Sequence, residues 1–398
     1  MTQVLTPAPL DDADRPMISR ALIFILSLAC GVVVANIYYV QPLVGLISED
    51  FGMPVASAGL LVTLTQMGYA CGLLLVVPLA DIVENRRLIL GMLSILAIAL
   101  VCEAAAPTIP MFLAASLLVG ISASMVQVIV PFAGHLAPDA SRGRVVGTVT
   151  SGLFFGIMLS RPAASFVAHF AGHRTIFELS AVAVLLLVVL LFRTLPERRP
   201  KGMTYLQTLG SLGPLLLKTK VLHRRGAYQG GLFAAFSMFW TTVPIFLATP
   251  KFGFSQIGIG IFALIGAAGA IASPYAGHAA DQGKSALITR LGLLGTLAAL
   301  LIALVGGLYD SWPLLVVAAL LIDMAVAANL VVGQRALFAL GSELRGRLNG
   351  LYLASFFVAG AVGSLVSGYA YAFGGWTGLC LTGLIFPALA LAYYGSEP

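Results

Sequence analysis

The chain has 398 residues, of which 59% are hydrophobic and only 10% charged, and its mean hydropathy is +0.99. A water-soluble domain carries roughly 25% charged residues, so a soluble fold is excluded. The formal net charge of +6 would suit a nucleic-acid partner if it formed one patch, but the basic residues punctuate apolar stretches and read as a topology signal instead.

A bilayer core about 30 Å thick takes roughly 20 apolar helical residues per crossing, and apolar stretches recur at that length along nearly the whole chain. A membrane barrel would show short alternating segments instead. Residues 1–19 form a tail with Asp11, Asp12, Asp14 and Arg15, acidic where a secretory signal would be basic. Spans one to six are predicted near 20–47, 57–79, 88–106, 109–135, 145–170 and 174–193. Spans seven to twelve follow near 226–249, 256–279, 288–308, 312–336, 348–372 and 376–394. The longest polar stretch, from Arg193 to Arg225, carries Glu197, Arg198, Arg199, Lys201, Lys218 and Lys220. It divides the chain into the tail 1–19, a six-helix bundle over 20–193, a cytoplasmic linker over 194–225 and a second six-helix bundle over 226–398. Around Leu206 to Leu222 the linker has leucines at helical spacing beside Lys218 and Lys220, the pattern of a helix lying on the inner leaflet.

Of the 22 Lys and Arg residues, all but Arg161, Arg174 and Lys251 fall on the face that holds the N-terminus when twelve spans alternate across the membrane. Positive residues mark the cytoplasmic side, so both termini are predicted to be cytoplasmic in a multi-pass protein of the cytoplasmic (inner) membrane. Cys30, Cys71, Cys102 and Cys380 all lie in apolar stretches with no close pair, and read as packing residues.

The loops repeat. Arg142-Gly143-Arg144 with Gly147 recurs as Arg345-Gly346-Arg347 with Gly350, Phe170-Ala171-Gly172 as Phe373-Gly374-Gly375, and Asp81 as Asp281. Each echo lies about 200 residues on, which makes the chain two six-helix halves in tandem. Parallel halves related by an axis along the membrane normal belong to transporters whose solute site lies at mid-membrane between them.

The residues between spans two and three, Val77-Pro78-Leu79-Ala80-Asp81-Ile82-Val83-Glu84-Asn85-Arg86-Arg87, and their echo Gly277-His278-Ala279-Ala280-Asp281-Gln282-Gly283-Lys284 resemble the loop signature of the major facilitator superfamily. The first copy keeps the aspartate and the arginine pair but replaces both glycines. Two further signatures of that family are altered. The span-four arginine of many proton-coupled members would fall at Ser116, and the glycine before the span-five proline, in Gly152-x-x-x-Gly156 leading to Ser160-Arg161-Pro162, is Arg161. Ala35-Asn36-Ile37-Tyr38-Tyr39-Val40-Gln41-Pro42-Leu43 is similar to a bacterial branch near the drug, sugar and nucleoside efflux members. The resemblance implies an all-α fold of twelve transmembrane helices in two pseudo-symmetric bundles. It also implies a central cavity lined by spans one, four, seven and ten, with spans five and eight meeting between the halves, and export as the direction.

An ionisable side chain at mid-bilayer costs at least about 2.5–3.5 kcal/mol and so marks a site or a pair. Asp323 in span ten and Arg161 in span five are the two read at that depth, as a protonatable carboxylate and its charge partner or anion anchor. A permanent ion pair that staples the halves is the alternative. Polar residues predicted to line the cavity are Asn36, Tyr38, Tyr39, Gln41, Gln66 and Gln127 in the first half and Tyr228, Gln229, Trp240, Asn329 and Gln334 in the second, with Tyr69, Thr241 and Thr242 beside them. Amides and phenols offer donors and acceptors without net charge, although the same groups serve as hydrogen bonds between packed helices. Asp81, Arg86, Arg87, Arg142, Arg144, Asp281, Arg345 and Arg347 crowd the cytoplasmic face as a gate whose salt bridges would close it. Glu178, four residues after Arg174, reads as its local helix partner. Gly68 and Gly72, Gly152 and Gly156, and Gly360, Ser364 and Gly368 have the spacing that lets helices pack closely.

These features predict a secondary transporter without a cofactor, proton-coupled and exporting a small organic solute by alternating access. Its predicted partners are that small-molecule substrate, protons and membrane lipid, with no nucleic acid, and the chain is taken as a monomer. A uniporter or an importer of a small polar metabolite is the alternative. A membrane-embedded sensor or enzyme is a further one, but no phosphate loop, nucleophile motif or paired histidine spacing supports it.

Overall fold

A computed structural model of the chain describes residues 18–200 and 204–397. The acidic tail with Arg15, and Lys201 of the linker, lie outside the described residues.

Span one begins at Ser19, whose hydroxyl accepts the Leu22 N–H at 3.1 Å, and its helix runs Arg20–Ala35. The chain then leaves the α-helix through Asn36–Val40, passes a 3-10 turn at Gln41–Leu43 and resumes as the short helix Val44–Asp50. Pro42 accounts for the break, since it has no N–H to donate and crowds the residue before it. The single span predicted over 20–47 is therefore discontinuous, and the irregular backbone carries Tyr38 and Gln41. Such backbone is tolerated at membrane depth only where protein or a cavity surrounds it, and Tyr38 and Gln41 are both buried.

The next spans are Val55–Asp81, Asn85–Ala104, Ile109–Leu136, Asp139–Ala171 and Thr175–Thr194, and after the linker Lys220–Ala248, Gln256–Asp281, Ser285–Leu308 and Trp312–Phe338. The last helical stretch, Arg345–Gly395, is two crossings divided at Gly375, whose φ of 58° and ψ of −156° are not helical. Glycine suits that backbone because a Cβ there would be strained. Spans five and seven start earlier than predicted, at Asp139 and Lys220, because their cytoplasmic ends extend as helix beyond the apolar stretch.

The twelve spans form two bundles with matching internal contacts. Span one packs on five as seven packs on eleven, two on four as eight on ten, three on four as nine on ten, and three on six as nine on twelve. Glycines set several of these approaches. A Cβ at Gly68 would run into the Leu117 carbonyl, one at Gly120 into the Thr65 carbonyl, and one at Gly156 into Gly31. Between the bundles, spans two and eleven meet where Gly59 abuts the Ser364 carbonyl, Gly368 abuts Ala56, and the Thr63 hydroxyl donates to the Ala361 carbonyl at 3.1 Å. Spans five and eight meet where Gln256 donates to Ser165 at 3.3 Å, and Gln256 also donates to the Pro42 carbonyl of span one at 3.0 Å. All of these junctions lie toward the outer ends of the spans. Span five packs along Gln256–Ala263, the outer part of span eight.

Part of the predicted linker is the helix Tyr205–Lys218, opened by a capping box between Thr204 and Gln207. Tyr205 donates to the Leu75 carbonyl of span two at 2.8 Å, and Ser211 accepts from Arg347 of span eleven at 3.0 Å. Leu206 and Leu217 point outward, 80% and 77% exposed, as an inner-leaflet helix would have them.

Close glycine packing makes a prediction. Gly120→Ala is expected to destabilise the chain by about 1–3 kcal/mol through overpacking, whereas Gly91→Ala in span three, with nothing within 4 Å of the added carbon, is expected to leave it as stable or slightly more so. Equal thermal melting midpoints for the two variants in detergent would contradict this packing.

Candidate functional site

Arg161 enters from span five one residue before Pro162 and is 2% exposed. Its Nε donates to Gln41 Oε1 at 2.7 Å. Its guanidinium carbon lies 4.4 Å from the centre of the Trp240 ring and 5.2 Å from those of Tyr38 and Phe236. A desolvated cation over an aromatic face gains about 2 kcal/mol or more, so three rings and an amide take over much of what water supplied. Trp240, in span seven, faces both ways: its ring holds Arg161 while its indole N–H donates to Asp323 Oδ2 at 3.0 Å. Asp323, 6% exposed, comes from span ten.

Span eight reaches the cluster at Gly266, where an added Cβ would stand 2.9 Å from Arg161 Nη1, 3.6 Å from Asp323 Oδ1 and 3.9 Å from Trp240. Glycine is what lets the helix come this close. The structure therefore gathers Tyr38, Gln41, Arg161, Trp240 and Asp323 at one point between the halves. Arg161 and Asp323 do not meet as a direct ion pair there; among the described residues the indole and Gln41 are their hydrogen-bond partners. The space beside them, lined by Arg161, Trp240, Pro42, Val243, Leu247 and Phe262 among others, is too narrow to hold water. The site is closed in this conformation.

Other polar residues predicted for the cavity are spread wider. Gln66 donates to Ser237 across the two halves at 3.1 Å, next to the central cluster along span seven. Asn36 accepts from Ser180 of span six at 2.7 Å, and Gln127 donates to Tyr69 of span two at 3.2 Å. Asn329 donates to Gln229 at 2.8 Å, joining spans ten and seven inside the second half. Tyr228 packs against Tyr393 and Tyr394 of span twelve, and Gln334 donates to Asn349 at 3.0 Å. Tyr39 is only partly buried. These partners lie on neighbouring helices, and the narrow space beside Arg161 and Trp240 touches none of the residues in this paragraph.

On the face predicted to be cytoplasmic, Asp281 pairs with Arg335, which also donates to the Gly277 carbonyl. Arg142 pairs with Asp139 and donates to the Gly134 carbonyl, Arg87 lies 3.7 Å from Glu84, and Arg86 reaches Phe192 and Glu197. Arg345 donates to the Phe338 carbonyl and Arg347 to Ser211, while Arg144 is exposed. Asp81 closes the 3-10 turn Val77–Asp81 at the end of span two. The expected salt bridges between halves are absent among the described residues: each ion pair on this face joins groups within one half or to the linker.

The outer face holds a pattern the sequence reading missed. Arg174 bonds not to Glu178 but to Asp50 at 2.8 Å and to the Ala104 and Ala106 carbonyls at 2.9 Å, at the C-terminal end of span three. In the second half Lys251 bonds to the Gly307 carbonyl at the end of span nine and to Asp310. Arg174 and Lys251, the basic residues that the sequence places on the outer face, thus clamp equivalent helix ends, where a cation complements the helix dipole. Glu178 is exposed; spacing alone suggested its pairing, and the competing carbonyls could not be seen from sequence. Glu103 was also missed. It is 2% exposed one residue from the end of span three and accepts the Ser116 hydroxyl at 2.5 Å.

Comparison with known proteins gives one consistent picture. The family model of the Major Facilitator Superfamily matches residues 26–302 and 229–398. The transporter YgaY of Escherichia coli O157:H7 is 39% identical over 367 residues, covering 92% of this chain and 93% of its own. The Streptomyces coelicolor protein SCO4007, named as a transporter, is 32% identical over 367 residues, covering 91% of this chain and 84% of its own. The crystal structure of the nucleoside transporter NupG superposes with a TM-score of 0.77 at 16% identity, covering 94% of this chain and 99% of that one, a likeness of fold.

The outer clamp carries a pH prediction. The hydrogen bond from Arg174 holds the Asp50 carboxyl below the usual carboxylate range, so its stabilising contribution is full above about pH 4 and is lost as pH falls through the lowered value. Thermal melts of wild type and Asp50→Asn are expected to differ at pH 7 and to converge near pH 3. A gap that stays constant over that range would contradict the clamp.

Proposed function

The chain belongs to the Major Facilitator Superfamily, and from that premise we propose that it is a proton-coupled secondary transporter of a small organic solute, with the cluster around Trp240 as its working centre. The observation that carries the proposal is that a buried carboxylate from span ten and a buried guanidinium from span five share one indole between the two halves.

Ionised, Asp323 accepts the indole N–H and balances the Arg161 charge across Gly266. Protonated, it leaves that charge uncompensated in a medium where an unbalanced ion costs several kcal/mol. The cluster then has two charge states, each preferring a different arrangement of the helices that contribute to it, and alternating access is rocking of one half against the other around such a site. The fit of the outer junctions at Gly59, Gly368 and Gln256 supports a conformation closed toward the outside. Tyr38, Gln41 and Gln66 complete the solute-facing set, and the Arg347 bond to the linker serves as a cytoplasmic latch. In this reading the protein works as a monomer in the cytoplasmic membrane with both termini inside.

For direction, export rests on the span-one stretch Ala35 to Leu43. Uptake is the second reading: an anionic solute that meets the unpartnered Arg161 donor together with a proton on Asp323 would follow an inward proton gradient.

In proteoliposomes with an imposed pH gradient, assayed against drugs, nucleosides, sugars and organic acids, the wild-type protein is expected to move its solute in response to the gradient. Asp323→Asn is expected to lose that response while keeping solute exchange at equal pH. A variant that still follows the pH gradient would remove Asp323 from the coupling.

A further inference from the structure

We infer that the solute is a small organic oxyanion, a carboxylate on an apolar or aromatic body, whose charged end is received by Arg161 and Gln41. The inference rests on the reading of the central cluster as the transport site and adds the chemistry of what it takes.

Arg161 and Gln41 are 2% and 1% exposed, and each has an unpartnered donor: Arg161 Nη2 and Gln41 Nε2. The bond that joins them explains the second. Because Gln41 Oε1 is used in accepting from Arg161 Nε, the amide presents its NH₂ beside the guanidinium. Two donors, one of them charged, are thereby left unmet inside the protein, where an unsatisfied polar group is costly. A carboxylate accepts from both at once and brings the charge the guanidinium lacks. A hydroxyl or amide oxygen could meet the donors but would leave the charge unbalanced.

The remaining walls say what is attached to that carboxylate. Trp240, Val243, Leu247, Ile259 and Phe262 are apolar, and the space they line with Arg161 is too narrow for water in this conformation. A compact apolar or aromatic body suits such a slot once its walls part. A cationic solute suits it poorly, because its ammonium would sit against Arg161 and one oxygen of Asp323 is already engaged by the indole.

Coupling follows from the same geometry. An anion on Arg161 takes up the positive charge that otherwise balances Asp323, so Asp323 then holds its proton more firmly. By reciprocity a proton on Asp323 tightens the anion by the same factor. Anion and proton bind together and cross in the same direction, which gives uptake when the proton gradient points inward.

Calorimetry on the purified full chain in detergent, with benzoate, its neutral amide benzamide and its cationic counterpart benzylamine, tests this. Benzoate is expected to bind at least about tenfold more tightly than either, a difference of roughly 1.4 kcal/mol, and to take up a proton, read from the buffer dependence of the heat. Arg161→Gln, checked by its melting profile, is expected to lose benzoate; Asp323→Asn is expected to keep it and to lose the proton uptake. Benzamide or benzylamine binding as well as benzoate, no benzoate binding by the wild type, or benzoate binding undiminished in a folded Arg161→Gln would each overturn the inference. The wild-type comparison stands even where that variant does not fold. Benzoate binding without proton uptake would instead overturn the co-movement and, with it, the coupling role of Asp323, leaving the oxyanion cradle in place.

Discussion

A guanidinium at the middle of a membrane protein has to be hosted, and the host organises the rest of this molecule. Arg161 sits among Tyr38, Phe236 and Trp240, bonded to Gln41 and facing Asp323 across Gly266. These residues come from spans one, five, seven, eight and ten. No one bundle could supply them, so the cation is a reason for the two halves to close on each other. The break in span one at Pro42 and the missing side chain at Gly266 are the local adjustments that bring backbone close enough to serve it.

Around that centre the contacts are uneven along the membrane normal. At the outer ends, glycine against carbonyl, with hydrogen bonds from Thr63 and Gln256, fits the halves together closely. At the cytoplasmic face, the ion pairs among the described residues stay within a half or reach the linker. Each half also carries its own basic clamp at the outer end of its third helix, Arg174 on span three and Lys251 on span nine. Internal clamps with few cross-bundle charges suit two bodies that move as units.

The fold was legible because the bilayer imposes one length and one composition on each crossing, so apolar stretches and loop repeats were enough to count twelve spans. Asp323 and Arg161 stood out for the same reason: ions in long apolar runs are conspicuous. What stayed hidden depended on backbone or on direction. The interruption of span one was not predicted: Pro42 and the polar residues Asn36 and Gln41 lie there, but the two amides were read as cavity lining within one unbroken helix. Trp240 was one polar candidate among many, and nothing in its spacing distinguished an indole shared by two ions from Tyr228, which packs against span twelve. Arg174 was assigned to Glu178 because helical spacing shows carboxylates but not free carbonyls. Glu103, one residue from a helix end, was passed over, and its burial against Ser116 depends on a partner 13 residues away in the next span.

The linker helix is tied to both halves: Tyr205 bonds to the end of span two, Ser211 to the start of span eleven, and the Leu216 carbonyl to His223 at the start of span seven. With most of its ties on the second bundle, the strut is carried as part of that bundle. If the two bundles part at this end, the Tyr205 bond is the tether that would be loaded first.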